Sequence, residues 1–261
     1  MRTLTDMNSP LADKSLFLVG HGSSKDQKAE QSLHMHAEKI AKTGLFKRIY
    51  VDFLKKENEE LQFGEEPLFV VPFFMSDGYF VQEKVPERVN QKINQSQLSP
   101  SEVFYGPPLG SDPEIGDVIQ SMIEEFCMEN KVLINECLPV LLAHGSPRSE
   151  AAQQTCLEAA ENIRRKHQLD IRPVFLETEP VFSSIRLERK KKPSNDLKHI
   201  IVVGMFAAEG PHVTEDIPQL IEEAKSEYED EGIRVSYAGT LGLRPEITRL
   251  IEKCVFSRTD C

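Results

Sequence analysis

The chain has 261 residues and carries 31 Lys and Arg against 42 Asp and Glu, which gives a formal net charge of −11 at pH 7. This acidic balance argues against a nucleic-acid partner, because no excess of positive charge is present to displace counterions from phosphates. No sequence stretch approaches the roughly 18 consecutive apolar residues of a membrane span, and the N-terminus does not resemble a signal peptide. We therefore expect a cytoplasmic protein with no membrane contact.

Taken in chain order, apolar runs predict eight strands separated by helical segments. The runs lie at residues 15–19, 48–54, 67–73, 102–105, 139–143, 171–176, 199–203 and 233–238. The clearest helices are predicted at 149–167, where apolar residues recur at helical spacing, and at 245–255, which opens with a proline. Strands that alternate with helices predict an α/β fold with parallel sheets.

The second half of the chain repeats the first. The tripeptide His-Gly-Ser ends the first strand of each copy, at residues 21–23 and 144–146, an offset of 144 − 21 = 123. Later positions match at 132, as in Gly78 with Gly210. The growth in offset predicts about ten extra residues in the second copy, between Glu179 and Asn195, including the basic segment 186–192.

This duplication predicts the domain organisation. We expect an N-terminal extension over residues 1–13, a first repeat over 14–128, a connector over 129–138 and a second repeat over 139–261. The five cysteines show no C-x-x-C spacing, so we expect reduced structural thiols rather than a metal cluster or a disulfide framework.

Histidines stand where ligands bind in such folds. His21 and His144 each end a predicted strand, and open parallel sheets bind ligands beyond the carboxyl ends of their strands. His212 follows the third strand of the second copy. Two neutral imidazoles suit Fe²⁺, Co²⁺, Ni²⁺ or Zn²⁺ in an open site, and they can also accept protons from a substrate. If the two copies face each other, these strand ends form a cleft.

Several carboxylates lie close in sequence to the two histidines of the second copy. Glu177, directly after a strand, is interpreted as a third ligand, an outer-shell carboxylate or a solvated charge. Thr214 is predicted to cap the next helix, with Glu215 and Asp216 in its first turn complementing the helix dipole rather than taking part in catalysis.

The first copy lacks most of these groups. Position 212 − 132 is Phe80 and position 177 − 122 is Lys55, so His21 stands without its partner and the first site is predicted to be degenerate. Asp77, Tyr79 and Glu83 follow the third strand of this copy. They either complete the site from across the cleft or serve as wall or surface residues.

The chain resembles the class II tetrapyrrole chelatases, specifically the CbiX/SirB group of sirohydrochlorin chelatases. The resemblance rests on five elements of the second copy, which are His144-Gly145-Ser146, Phe175-Leu176-Glu177, Val202-Val203-Gly204-Met205-Phe206, Glu209-Gly210-Pro211-His212 and Asp216-Ile217-Pro218. It implies two chelatase-like repeats around a cleft and the insertion of Co²⁺ or Fe²⁺ into sirohydrochlorin, in cobalamin or sirohaem biosynthesis.

The same resemblance implies the roles of individual residues. His144 and His212 would bind the metal and assist deprotonation, Glu177 would join them in catalysis, and no cofactor beyond the substrate metal is needed. A monomer would suffice, because the two repeats supply both halves of the cleft. The basic segment 186–192, with Arg186, Arg189 and Lys192, is either a solvated loop or a contact for substrate carboxylates.

Two other functions stay open. The chain is alternatively a non-catalytic metal- or tetrapyrrole-binding protein on the chelatase fold. It is also compatible with a phosphate- or sugar-binding α/β protein in which the His-Gly-Ser turns only close the strands, although the absence of glycine-rich phosphate loops from the sequence weakens that interpretation.

Overall fold

The computed structural model of the chain describes residues 11–23, 28–56, 58–147, 150–185 and 196–256. It contains two four-stranded parallel sheets with strand orders β2-β1-β3-β4 and β6-β5-β7-β8. The first sheet comprises β1 (Ser15–Gly20), β2 (Arg48–Phe53), β3 (Leu68–Pro72) and β4 (Val103–Tyr105); the second comprises β5 (Cys137–Ala143), β6 (Arg172–Phe175), β7 (His199–Gly204) and β8 (Arg234–Thr240). The identical orders confirm the predicted α/β fold of two tandem repeats.

Six α-helices flank the sheets within the described residues. They are α1 (Lys28–Thr43), α2 (Val85–Ile93), α3 (Ile115–Asn130), α4 (Ala151–His167), α5 (Ile217–Tyr228) and α6 (Glu246–Phe256). A π-helical turn precedes α2 at Phe80–Lys84, and another precedes α5 at His212–Asp216. None of the helices in these ranges is both long enough and apolar enough to cross a bilayer.

Three of the eight strands predicted from apolar runs are covered on both faces. Every residue of β1, β3 and β7 is buried, as expected for parallel strands with helices on each side of the sheet. On the outer face of the first sheet, α2 inserts Val85 and Val89 against Phe17. On the outer face of the second, α5 inserts Ile217 and Ile221 in the same way.

The inner faces of the two sheets share one hydrophobic core, and the last helix of each repeat packs on the other repeat. Helix α3 contacts α4, β7 and β8, while α6 contacts α1 and β3. The two halves are therefore interlocked rather than joined only by the connector.

A buried histidine ties the halves together inside this core. His36 of α1 is fully buried, and its Nε2 donates a hydrogen bond to the Gly242 carbonyl oxygen at 2.9 Å. The Thr248 hydroxyl lies 2.8 Å from the other ring nitrogen and donates to it. Because Gly242 and Thr248 belong to the second repeat, the first repeat cannot move away without exposing these groups.

Helix α3 extends to Asn130 and β5 begins at Cys137, so most of the connector between the repeats belongs to regular elements or their ends. Cys127, Cys137, Cys156 and Cys254 are free thiols, as expected, whereas Cys261 lies outside the described residues. The basic segment 186–192 also lies outside them.

Candidate functional site

His144 stands at the carboxyl end of β5, where a glycine turns the chain. Gly145 has φ +71°, and a Cβ there would lie 2.9 Å from Cβ of Phe175 and 2.4 Å from Oγ1 of Thr178. A side chain is therefore excluded by both conformation and space. The His144 carbonyl oxygen accepts a hydrogen bond from the Glu177 backbone N–H at 3.0 Å, which fixes the strand end beneath the imidazole.

His212 begins the π-helical turn after β7. The turn is anchored by the Gly210 carbonyl oxygen, which accepts hydrogen bonds from the backbone N–H groups of Val213 at 2.9 Å and Thr214 at 3.1 Å. The wider π turn brings the imidazole of His212 toward the end of β5. Turns of this kind are frequent at functional positions.

The structure brings His144 and His212 into contact. Their ring centroids are 4.3 Å apart at an interplanar angle of 85°, and the two Nε2 atoms are 2.9 Å apart. Their side chains are 38% and 47% exposed, so the pair is reachable from solvent. The prediction that these two histidines converge at the sheet edge agrees with this geometry.

Hydrogen bonds on the far side of each ring determine its tautomer. Nδ1 of His144 lies 2.9 Å from the Gly145 carbonyl oxygen, and Nδ1 of His212 lies 2.6 Å from Oδ2 of Asp216. A carbonyl and a carboxylate only accept hydrogen bonds, so we assign the proton of each neutral ring to Nδ1. Both Nε2 atoms then present a lone pair to the same point, where a cation relieves their repulsion.

The spacing suits a metal ion. With metal–nitrogen bonds of about 2.0–2.1 Å, a separation of 2.9 Å between the nitrogens corresponds to an angle of about 90° at the metal. In the part of the chain that the structure describes, no group of three or more His, Cys, Asp or Glu side chains is arranged to hold a metal. Two imidazole ligands would leave most coordination positions of a metal open.

Asp216 is a residue whose role the sequence interpretation misassigned. Thr214 is not a helix cap: its hydroxyl donates to the carbonyl oxygens of Gly210 at 3.3 Å and Pro211 at 3.5 Å, and α5 begins only at Ile217. Asp216 makes no side-chain capping bond, and its carboxylate instead accepts a hydrogen bond from Nδ1–H of His212. The four-residue spacing of the two side chains on one helical face was the available signal.

Glu177 lies on the outer side of the His144 ring. Its Oε2 is 3.6 Å from Nδ1, the nitrogen that faces away from His212, and its side chain is 48% exposed. Of the interpretations left open by the sequence, this position favours an outer-shell carboxylate over a direct ligand. A carboxylate there increases the electron density of the imidazole without competing for the metal.

The histidine pair opens into a cavity of about 450 Å³ between the two repeats, at the carboxyl ends of both sheets. Its polar lining includes His21 and Lys55 from the first repeat, opposite His144 and His212. Its apolar lining includes Leu33, Phe53, Phe73, Phe74, Met205 and Phe206. Asp77, Tyr79 and Glu83 are exposed and do not line this cavity, so the structure does not bring them to the histidine pair.

The first repeat reproduces the backbone of the site without its chemistry. The Lys55 N–H donates to the His21 carbonyl oxygen at 3.0 Å, as Glu177 does to His144, and the π turn begins at Phe80 as it does at His212. The rings of His21 and Phe80 have centroids 4.5 Å apart at 89°, nearly the arrangement of His144 and His212. Asp216 corresponds to position 216 − 132 = 84, which is Lys84. The first copy therefore presents one imidazole where the second presents a pair.

The family model for CbiX matches the chain twice, at residues 15–126 and 139–257. A protein of Halobacterium salinarum named probable sirohydrochlorin cobaltochelatase is 23% identical over 232 residues, which cover 79% of this chain and 76% of that protein. Each match of the family model falls on one of the two sheets described above.

Solved structures share the fold over nearly the whole chain. SirB from Bacillus subtilis with Fe³⁺ superposes with a TM-score of 0.75 at 16% identity, covering 95% of this chain and 96% of that one. CbiX, described as the terminal enzyme for siroheme biosynthesis in denitrifying bacteria, superposes with a TM-score of 0.69 at 20% identity, covering 93% and 98%. The two family matches span most of the sequence and confirm the resemblance drawn from its motifs, so the chain belongs to the CbiX family.

Proposed function

We propose that the protein is a chelatase that inserts Co²⁺ or Fe²⁺ into sirohydrochlorin or a closely similar tetrapyrrole. The observation that carries the proposal is the pair of Nε2 lone pairs 2.9 Å apart at the mouth of a cleft in a CbiX-family chain. The protein of H. salinarum named as a probable cobaltochelatase, and the SirB structures with Fe³⁺ and with cobalt, support the same substrates.

Under this proposal His144 and His212 receive the metal from water and hold it at the edge of the cleft. Imidazole nitrogens suit both Co²⁺ and Fe²⁺, so the ligand set accommodates either metal. Two ligands replace only part of the hydration shell, and the remaining positions pass from water to the pyrrole nitrogens. Weak, open coordination lets the metal leave the protein when the ring binds it.

Acceptors behind the histidines keep both rings in the metal-binding tautomer, the Gly145 carbonyl for His144 and the Asp216 carboxylate for His212. Asp216 holds the proton of His212 on Nδ1 at 2.6 Å, and Glu177 lies beside Nδ1 of His144. Both arrangements increase the basicity of Nε2 and fix the direction of its lone pair. As the metal passes to the ring, each Nε2 atom that it leaves becomes free to accept a proton that a pyrrole nitrogen releases.

The cleft itself is the second part of the proposal. Its volume of about 450 Å³ and its aromatic and aliphatic lining are typical of pockets that bind small organic molecules. Lys55 provides a positive charge beside this lining for a substrate that carries carboxylates. Because one chain supplies both walls, we propose that the monomer is sufficient and that it has one active centre.

The test measures metal insertion directly. Purified protein is mixed under anaerobic conditions with sirohydrochlorin and Co²⁺ or Fe²⁺, and the change in ring absorption is compared with the uncatalysed rate. We expect acceleration by the wild type and a loss of about 100-fold or more in His144→Ala and His212→Ala. His34→Ala, which changes an exposed histidine of α1 outside the cleft, is the control.

The outcomes separate the competing functions. Binding of metal and ring without acceleration would establish the non-catalytic alternative. Acceleration that survives both histidine substitutions would retain the function and refute the site. If the protein binds neither the metal nor the tetrapyrrole, the phosphate- or sugar-binding interpretation would be favoured.

A further inference from the structure

His21 lines the cleft but is not one of the two proposed metal ligands. It ends β1 as His144 ends β5, and both line the same cavity from opposite repeats. The glycine that follows His21 is constrained in the same way as the glycine that follows His144. Gly22 has φ +73°, and a Cβ there would lie 2.6 Å from Cβ of Phe53.

The hydrogen bond of His21 leaves its second nitrogen as a base. Nδ1 lies 3.2 Å from the Gly22 carbonyl oxygen, which only accepts, so the neutral ring carries its proton on Nδ1. Nε2 therefore holds a lone pair. This is the tautomer that His144 adopts in the second repeat through Gly145.

Phe80 makes the surroundings of His21 different from those of His144. The phenyl ring stands edge-on to His21 at 4.5 Å, where the second repeat has the ring of His212. A phenyl group offers no ligand, so the pair His21–Phe80 does not chelate a metal. Phe74, stacked parallel to Phe80 at 6.2 Å, completes an apolar surround. His21 is thus kept from metal binding while its ring still faces the cavity.

The electrostatic surroundings keep the ring neutral. Burial lowers the pKa of His21, and the positive charge of Lys55, just beyond the end of β2, lowers it further. Of the other elements around the ring, α1 presents the uncharged side chains of Ala29 and Leu33 to the cavity, and the π turn packs Phe80 against the ring. The titratable groups that line the cavity from the second repeat are His144 and His212. A neutral imidazole is the form able to take up a proton.

We propose that His21 is a second catalytic base, which takes a pyrrole proton from the first-repeat side of the cleft while His144 and His212 deliver the metal from the other side. The inference rests on the proposed chelatase function. In this step a pyrrole N–H bond breaks, its electron pair stays on nitrogen and forms the bond to the metal, and the proton binds Nε2 of His21 before it passes to water. Insertion releases two such protons, and a base on the wall opposite the metal removes one without approaching the cation.

The experiment compares the wild type with His21→Asn. Asparagine retains a donor for the Gly22 carbonyl and a planar group against Phe80, but it does not accept a proton near neutral pH. We expect kcat for Co²⁺ insertion to fall by about 100-fold, while the Kd for Co²⁺, measured by calorimetry without tetrapyrrole, stays within about twofold of the wild-type value. His34→Asn, at an exposed position of α1 that does not line the cavity, serves as the matched control and should keep the wild-type rate.

The pH dependence provides a readout that a structural role would not change. In the wild type, protonation of His21 removes the base. The rate deficit of His21→Asn should therefore shrink toward acidic pH, and the part of the acid-side fall in kcat that His21 contributes should be missing from the variant. Full kcat in His21→Asn would overturn the proposal, and so would a loss of Co²⁺ affinity as large as the loss of rate. A wild type that binds Co²⁺ without accelerating insertion refutes the chelatase function itself, whereas an active wild type with a fully active variant refutes only the role of His21.

Discussion

Removal of the Asp216 carboxylate tests whether the tautomer of His212 controls metal binding. In Asp216→Ala, Nδ1 of His212 loses the acceptor that now lies 2.6 Å away. Solvent then competes for both ring nitrogens, and the imidazole spends part of its time with the proton on Nε2, where it cannot bind a metal. We expect weaker metal binding and slower insertion with an unchanged fold.

The magnitude follows from the exposure of the pair. Loss of a carboxylate that orients a metal-binding histidine typically costs 10-fold to 100-fold in affinity, about 1.4 to 2.7 kcal/mol. The side chains of His212 and Asp216 are 47% and 55% exposed, so water screens their interaction and partly replaces it. We therefore expect the lower end of the range, about tenfold in the Kd for Co²⁺.

Titration calorimetry with Co²⁺ measures this change, and steady-state insertion into sirohydrochlorin measures its effect on rate. Glu215→Ala is the matched control, because it removes a neighbouring carboxylate from the same π turn and its cost to the helix dipole is similar. We expect the control to bind Co²⁺ like the wild type. Equal Kd values for Asp216→Ala and the wild type, or equal losses in Asp216→Ala and Glu215→Ala, would refute the reasoning.

Three further predictions concern the first repeat and the packing of the halves. Phe80→His restores a histidine pair beside His21, so we expect calorimetry to show two equivalents of bound Co²⁺ instead of one; a single equivalent would show that ring spacing does not suffice. Gly242→Ala places a Cβ 1.9 Å from a backbone oxygen, so urea unfolding should show that the free energy of unfolding falls by about 1–3 kcal/mol. Gly210→Ala is the control, because its Cβ would meet nothing within 4 Å, and equal losses in the two variants would contradict this. Burial lowers the pKa of His36 below its ordinary 6.5, so the unfolded chain binds the proton first as the pH falls. The contribution of His36 to the free energy of unfolding should be fully present above about pH 6.5, fall as the pH drops from there to the folded-state pKa, and level off below it; an equally steep fall in His36→Gln would exclude that histidine as a contributor.

The architecture was predictable because its determinants are local. Continuous apolar runs predicted all eight strands within a few residues, and the repeated His-Gly-Ser turns fixed their pairing into two similar units. The contrast between His212 and Phe80 was also readable, since a duplicated chain supplies its own reference for each position. The two histidines of the second repeat could be expected at one sheet edge from strand order alone.

The parts that the sequence did not predict depend on geometry between elements. Asp216 looked like a first-turn carboxylate, and only the π turn reveals that its side chain meets His212 instead of a backbone N–H. Glu177 likewise lies beside Nδ1 of His144 because of its side-chain rotamer and the conformation of the turn, which the sequence spacing does not reveal. The packing of α3 and α6 on opposite repeats has no signature in a periodic apolar pattern, because an amphipathic helix fits either sheet.

That reciprocal packing of α3 and α6 has a consequence for how the two sites diverged. A gene encoding a single repeat would produce a chain whose last helix finds its sheet only on a second copy, and such a pair of identical chains would carry identical sites. Any substitution would then alter both sites at once. Joining the two repeats in one chain removes this constraint, so one site can carry Phe80, Lys55 and Lys84 while the other carries His212, Glu177 and Asp216.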